Sequence, residues 1–132
     1  MSFTEAELAY LATQQLGRLA TAQPDGTLQV SPVGFHYNSD LRTIDISGFH
    51  MTASRKYKNV AANGRVAIVI DDVPSVDPWR VRCLEIRGVG ETVEPQALIR
   101  IHPRRVISFG LEEADIEAHE LVPSKRNWSA DS

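Results

Sequence analysis

The spacing of apolar residues changes from helical to alternating near Gly17. Before it, Leu8, Leu11 and Ala12 mark one face of a 3.6-residue period. Thr4-Glu5-Ala6-Glu7 has the form of a capping box, Thr4 accepting from the backbone while Glu7 reaches back. A helix is predicted here, with Gly17 as its stop. From Arg18 the period is two. Leu19 to Ala22 reads as a strand, and Pro24-Asp25-Gly26 supplies a tight turn, Asp-Gly being favoured where φ turns positive. The return strand, Leu28 to Tyr37, contains Pro32, which cannot donate to a ladder, so an edge position or a bulge is predicted. Asn38-Ser39-Asp40 then turns the chain into a third strand, Leu41 to Ser47.

The loop Gly48 to Thr52 leads into a short basic helix that Gly64 ends, and an apolar strand, Val66 to Ile70, follows at once. Asp71 to Pro78, with Pro74 and Pro78, reads as a loop. Trp79 to Val93 is a long strand in which Gly88 and Gly90 predict a bulge. Ile99-Arg100-Ile101 and Val106 to Phe109 give two more strands, hinged at Pro103. From Glu112 the chain is polar and acidic, which predicts a domain over 1–111 and a partly ordered polar tail over 112–132. Strands joined by hairpin-length connections, with only two short helices, predict a mostly β, six- or seven-stranded antiparallel barrel.

Composition narrows the partners. At 132 residues one domain is expected, and 42% hydrophobic with 23% charged residues is globular rather than disordered. A net charge of −3 argues against a nucleic-acid surface, which needs a broad cationic face. No apolar run is long enough to cross a membrane, and the start Met-Ser-Phe-Thr-Glu lacks the basic and apolar segments of a leader, so a cytoplasmic location is expected. The single cysteine, Cys83, excludes an internal disulfide and reads as a buried, inert thiol within a strand.

Candidate chemistry concentrates in Ala53-Ser54-Arg55-Lys56-Tyr57-Lys58-Asn59-Val60. A helix start exposes unpaired N–H groups and a partial positive charge, and Arg55 and Lys56 placed there make a site of phosphate size. A solvated basic face is the competing reading. Four histidines, His36, His50, His102 and His119, lack metal-ligand spacing, and no metal site is expected. His36 reads as a strand residue. His50, in the loop before the basic helix, is the candidate proton donor. Trp79 either covers a ligand ring or a subunit seam, or opens its strand as a core aromatic.

Several segments in order resemble a known family. Leu19-Ala20-Thr21, Asp25-Gly26 and Val30-Ser31-Pro32-Val33-Gly34-Phe35 resemble the first hairpin of the pyridoxamine 5′-phosphate oxidase-like split β-barrel flavoproteins. Arg55-Lys56-Tyr57-Lys58-Asn59 with Arg65-Val66-Ala67 resembles their phosphate-binding helix and following strand. Glu85 to Glu91 looks like the long strand, and Pro103 to Gly110 like the closing one. The short single-domain members of actinobacterial type, which are deazaflavin (coenzyme F-420)-dependent oxidoreductases, are the most similar. True pyridoxamine phosphate oxidases carry a long Arg- and Trp-rich C-terminal extension, where this sequence has only Lys125, Arg126 and Trp128 after Phe109. Synthesis of pyridoxal phosphate is therefore not expected.

The resemblance implies roles residue by residue. Lys56, with Arg55 and Asn59, would hold the cofactor phosphate. Ser31, Pro32, Val33 and Gly34 would set backbone groups along the tricyclic ring, with Ile46 and Ser47 under the ribityl chain. Lys58 would reach a polyanionic tail or sit in water, and Trp79 would lie against the ring. The implied activity is hydride transfer from reduced coenzyme F-420 to a small planar acceptor, since a deazaflavin donates electrons only in pairs. The alternatives are an FMN-binding reductase or oxidase, and a non-catalytic carrier of flavin or haem, with His50 as the axial candidate for haem. Pro32, Gly88 and Gly90 interrupt the strands and leave apolar surface uncovered, so a homodimer with the cofactor in a groove lined by both subunits is expected.

Overall fold

A single residue, Phe35, joins the two ends of the sheet. The computed structural model describes residues 3–112 and 121–128. Its elements are α1 (Glu5–Thr13), β1 (Leu16–Ala22), β2 (Leu28–Gly34), β3 (His36–Asn38), β4 (Thr43–Ile46), α2 (Arg55–Asn63), β5 (Arg65–Ser75), β6 (Arg80–Val93), β7 (Leu98–Phe109) and β8 (Ser124–Asn127). The strands pair in the order β2-β1-β5-β6-β7-β4-β3, with β8 added alongside β7. Every pairing is antiparallel. Since β2 and β3 sit at opposite ends of this path yet are consecutive in the chain, the sheet has to curl until its edges nearly meet. The result is the mostly β split half-barrel the sequence predicts.

The core lies inside the curl. Leu19, Ile68, Ile70, Leu84, Ile86, Ile99, Ile101, Ile44, Ile46 and Val106 are buried to within 1% of complete enclosure. They alternate with outward residues along each strand, as a one-sided sheet requires. At Gly17 a Cβ would stand 2.8 Å from Cδ1 of Ile68, so a larger residue would force the Ile68 side chain to move. Gly17 therefore belongs to a strand and not to a helix end. Helix α1 stops earlier, at Thr13, with Gln14 as its C-cap, and the Thr4–Glu7 capping box forms as predicted.

Other boundaries shift for non-local reasons. The predicted return strand breaks at Phe35 into β2 and β3, and Pro32 lies on β2, an edge of the path. The third strand is shorter than predicted, Thr43 to Ile46. Residues Asp71 to Ser75, read as loop, extend β5 because β6 supplies a partner strand, with a register shift between Asp72 and Ser75. The two strands hinged at Pro103 are one strand, β7. Arg87 faces Arg105 while Gly88 faces Pro103, so Arg104 is the extra residue and the irregularity falls where glycine predicted it. A Cβ on Gly88 would lie 2.2 Å from the His102 carbonyl oxygen.

Within the expected polar tail, Ser124–Asn127 forms β8 against Arg105–Ser108. The remaining tail positions, 113–120 with His119 and 129–132, lie outside the described residues. Arg126 of β8 reaches Glu7 of α1, a carboxylate only 1% exposed. Its Nη1 donates to Glu7 Oε2 at 2.9 Å, and its Nη2 donates to Oε1. Ser108 Oγ donates to Oε2 at 2.8 Å, and the Thr4 amide to Oε1. This cluster ties the N-terminal helix, β7 and β8 together. Among the described residues no helix is long and apolar enough to cross a membrane.

Candidate functional site

Helix α2 begins at a well-formed cap. The Ser54 side chain accepts from the Tyr57 amide at 3.3 Å and donates to the Met51 carbonyl at 2.6 Å. Gly64, with φ of 68°, closes the other end as predicted. The cap uses the third amide of the helix. The first two, of Arg55 and Lys56, have no intrahelical carbonyl within reach and face the mouth of the helix. Arg55 and Lys58 are exposed, whereas Lys56 is half-buried. The free amides and partial charge of the helix start thus lie beside a cationic residue, Lys56, a combination that favours an anion.

Asn59, expected beside Lys56, turns the other way. It is 0% exposed, and its Nδ2 donates to Thr21 Oγ1 of β1 at 3.1 Å. Thr21 Oγ1 in turn donates to Gln29 Oε1 of β2 at 3.2 Å. The role of Asn59 is therefore positional, because its amide fixes the cationic helix relative to the edge strand. Asn63 adds a second tie, donating to the Ala22 carbonyl at 2.8 Å. Thr21 and Gln29 were not singled out from the sequence. The available signal was parity, since Thr21 shares the inward face with Leu19, and Gln29 with Val33, yet both are polar.

On β2, Ser31 stands opposite Leu19 and Val33 opposite Gly17, so both share the inner face, while Pro32 and Gly34 face out. Among the described residues β2 pairs with β1 alone, so the other side of its backbone has no strand partner there. Two buried polar atoms, Ser31 Oγ and Asn59 Oδ1, lack a protein partner. Ser31 Oγ can donate or accept and Asn59 Oδ1 can only accept, so hydroxyl groups of a ligand are the chemistry that would satisfy both. On β4, Ile46 is wholly enclosed and serves as wall, while Ser47 is exposed. His50 is exposed with φ of 54°, beside the fully exposed Phe49. Trp79 is 53% exposed on the β5–β6 connection, so it is not a core aromatic.

Other titratable groups read as structural. Burial, with Asp71 and Glu85 nearby, pushes the Cys83 thiol up to about 11, so it stays protonated at neutral pH. Burial and the hydrogen bond to Asp72 push the Tyr10 hydroxyl well above its ordinary range. Asp72 also accepts from Arg82 Nε at 2.9 Å, and Asp45 accepts from Arg100 Nε at 3.0 Å. Among the described residues no three His, Cys, Asp or Glu side chains gather as metal ligands.

Comparison with known proteins agrees with this architecture. Residues 3–118 match the family described as pyridoxamine 5′-phosphate oxidase. A relative in Streptomyces rimosus, named 5a,11a-dehydrotetracycline/5a,11a-dehydrooxytetracycline reductase, is 42% identical over 122 residues, covering 85% of this chain and 86% of the relative. Among solved structures, a conserved hypothetical protein of Mycobacterium tuberculosis superposes with a TM-score of 0.69 at 19% identity, covering 100% of this chain and 96% of that one. A haem-binding protein of Mycobacterium smegmatis gives 0.67 at 17% identity, covering 94% of this chain, which spans 59% of that longer one. A putative pyridoxamine 5′-phosphate oxidase of Listeria innocua gives 0.60 at 22% identity, covering 75% of this chain and 91% of that one.

Proposed function

This chain belongs to the pyridoxamine 5′-phosphate oxidase family, and on that footing we propose that it is a reductase using the deazaflavin coenzyme F-420. Its substrate is a flat, conjugated small molecule. The observation that carries the reading is the cationic start of α2 held at fixed distance from the free edge of β2 by Asn59, Thr21 and Gln29. The reductase from Streptomyces rimosus supports the reaction class and the kind of acceptor. When bound, the reduced deazaflavin supplies a hydride. Lys56 and the Arg55 and Lys56 amides bind its phosphate, while Ser31 to Gly34 orient the ring along the edge strand. Arg55 and Lys58 face the polyanionic tail. The coenzyme would supply a hydride equivalent to a conjugated acceptor, and His50 or solvent would supply the proton that completes the reduction.

FMN is the second reading, favoured by Lys56 being half-buried while Arg55 and Lys58 are exposed, which suits a single phosphate. Salt titration separates the two. A polyanionic tail contacting several cations makes F-420 affinity fall steeply with ionic strength, whereas FMN responds less. We expect F-420 to bind more tightly at low salt, and Lys58→Ala to weaken it while leaving FMN nearly unchanged. Equal affinities with equal salt slopes would transfer the assignment to FMN.

The groove needs a second wall, and we propose a second copy of the chain. The outer face of β2 carries Leu28 at 78% and Val30 at 67% exposure beside Pro32, an apolar stripe that a partner would cover. Ala20 and Ala67 continue it across β1 and β5, paired with each other and with Val30. Sedimentation is expected to give about twice the 14.6 kDa chain mass, and Val30→Glu to shift it to the monomer. A wild-type monomer at micromolar concentration would refute this.

A further inference from the structure

Beyond the end of β2 the chain opens a second concavity. Helix α1 and the Phe35–Tyr37 segment enclose a cleft of about 340 Å³, at the lower end of what small-molecule sites occupy. Leu8, Ala12 and Phe35 form its apolar wall, with Gln14, His36 and Tyr37 among the lining residues. No Lys, Arg, Asp or Glu side chain lines it, in contrast to a cleft of about 210 Å³ on the β7 side that holds Arg42, Arg104 and His102. The charged cleft suits an anion. The apolar one suits a neutral, mostly hydrocarbon body with hydrogen-bonding groups along one edge.

Its position gives it a role. Gly34, the last residue of the strand assigned to the cofactor ring, is followed directly by Phe35 and His36 of the cleft wall. A Cβ on Gly34 would come 4.0 Å from the Gln15 carbonyl oxygen, so the strand end also touches the turn after α1, next to Gln14. The cleft therefore begins where the strand proposed for the cofactor ring ends, so a molecule held in it lies next to that segment.

We propose that this cleft is the acceptor site, taking a neutral, fused-ring, conjugated ketone or phenol. Phe35 and Leu8 take its hydrocarbon face, and polar groups of Gln14 and His36, both lining the cleft, bind its oxygen-bearing edge. The assignment rests on the reductase reading for its chemistry, but the binding site is testable without turnover.

The probe is tetracycline, a molecule of four fused rings with a hydrocarbon edge opposite an oxygen-rich one, titrated calorimetrically into the full chain with and without cofactor, and mapped by amide chemical shifts. Binding is expected to move the amides of Leu8 to Gln14 and Phe35 to Tyr37. Ala12→Trp fills the cleft from the exposed side of α1 and is expected to weaken the probe about tenfold or more, and His36→Ala severalfold. Titrations of F-420 and FMN are expected to be unchanged in both variants. Absence of tetracycline binding at about 1 mM, shifts centred on β7 and β8, or wild-type affinity in Ala12→Trp would each overturn the proposal. Cleft binding that survives while wild-type protein takes up neither cofactor would support the site and overturn the reductase reading instead.

Discussion

Arg126→Ala is expected to lower unfolding stability by about 3–5 kcal/mol at neutral pH, because it strands a buried carboxylate. Glu7 is 1% exposed, and in the intact protein all its acceptor capacity is directed at Arg126, Ser108 and the Thr4 amide. Burial alone would raise its pKa. The Arg126, Thr4 and Ser108 hydrogen bonds, with the guanidinium charge, outweigh that and hold the carboxyl below its ordinary 4.5. A depressed folded-state pKa means the stabilisation is complete above about 4.5 and is lost as pH falls from there through the folded value. The variant leaves burial opposed only by the Thr4 and Ser108 hydrogen bonds, so its Glu7 takes up a proton more readily. Urea unfolding of the two proteins should therefore differ most near pH 7 and converge in acid. A difference below about 1 kcal/mol at pH 7 would show that the pair sits in a wetter setting than its geometry implies.

Cofactor affinity is expected to fall about ten- to a hundredfold in Lys56→Ala, the loss of one charge-assisted contact of about 1.5–3 kcal/mol. The unfolding midpoint should hardly move, since the cap at Ser54, the Asn59 relay and the buried Tyr57 and Val60 hold α2 in place without it. Dissociation constants for F-420 and FMN, measured on wild type and variant by fluorescence quenching, supply the check. An unchanged constant for both cofactors would move the phosphate away from α2 altogether. A loss for one cofactor only would identify which of them uses this helix start.

The two substitutions probe features of different legibility. The capping box of Thr4 and Glu7, the stop at Gly64, the edge position of Pro32 and the irregularity at Gly88 were all readable from the sequence. Each depends on the residue itself or on neighbours within one turn: a missing N–H, a positive φ, a side chain reaching three residues back. The cationic start of α2 was readable for the same reason. Asn59 was not, because its spacing from Lys56 says nothing about which way its amide points. Thr21 and Gln29 decide that from strands 38 and 30 positions away in the chain.

What the sequence determined by itself was the alternation that makes strands, the breaks between them, and where the positive charge gathers, all local consequences of side-chain shape and polarity. Only the tertiary structure decided how those pieces close. The curl that brings β2 back to β3 through Phe35 depends on the pairing of every strand between. The pairing of Arg126 with Glu7 spans 119 positions, and β8 is a strand only because β7 offers it an edge. Asp71 to Ser75 read as loop for the same cause, since β6 was the missing partner. Hydrogen bonds between distant segments leave no periodicity in either of them, and a strand with polar composition is stabilised by its neighbour and not by its own residues.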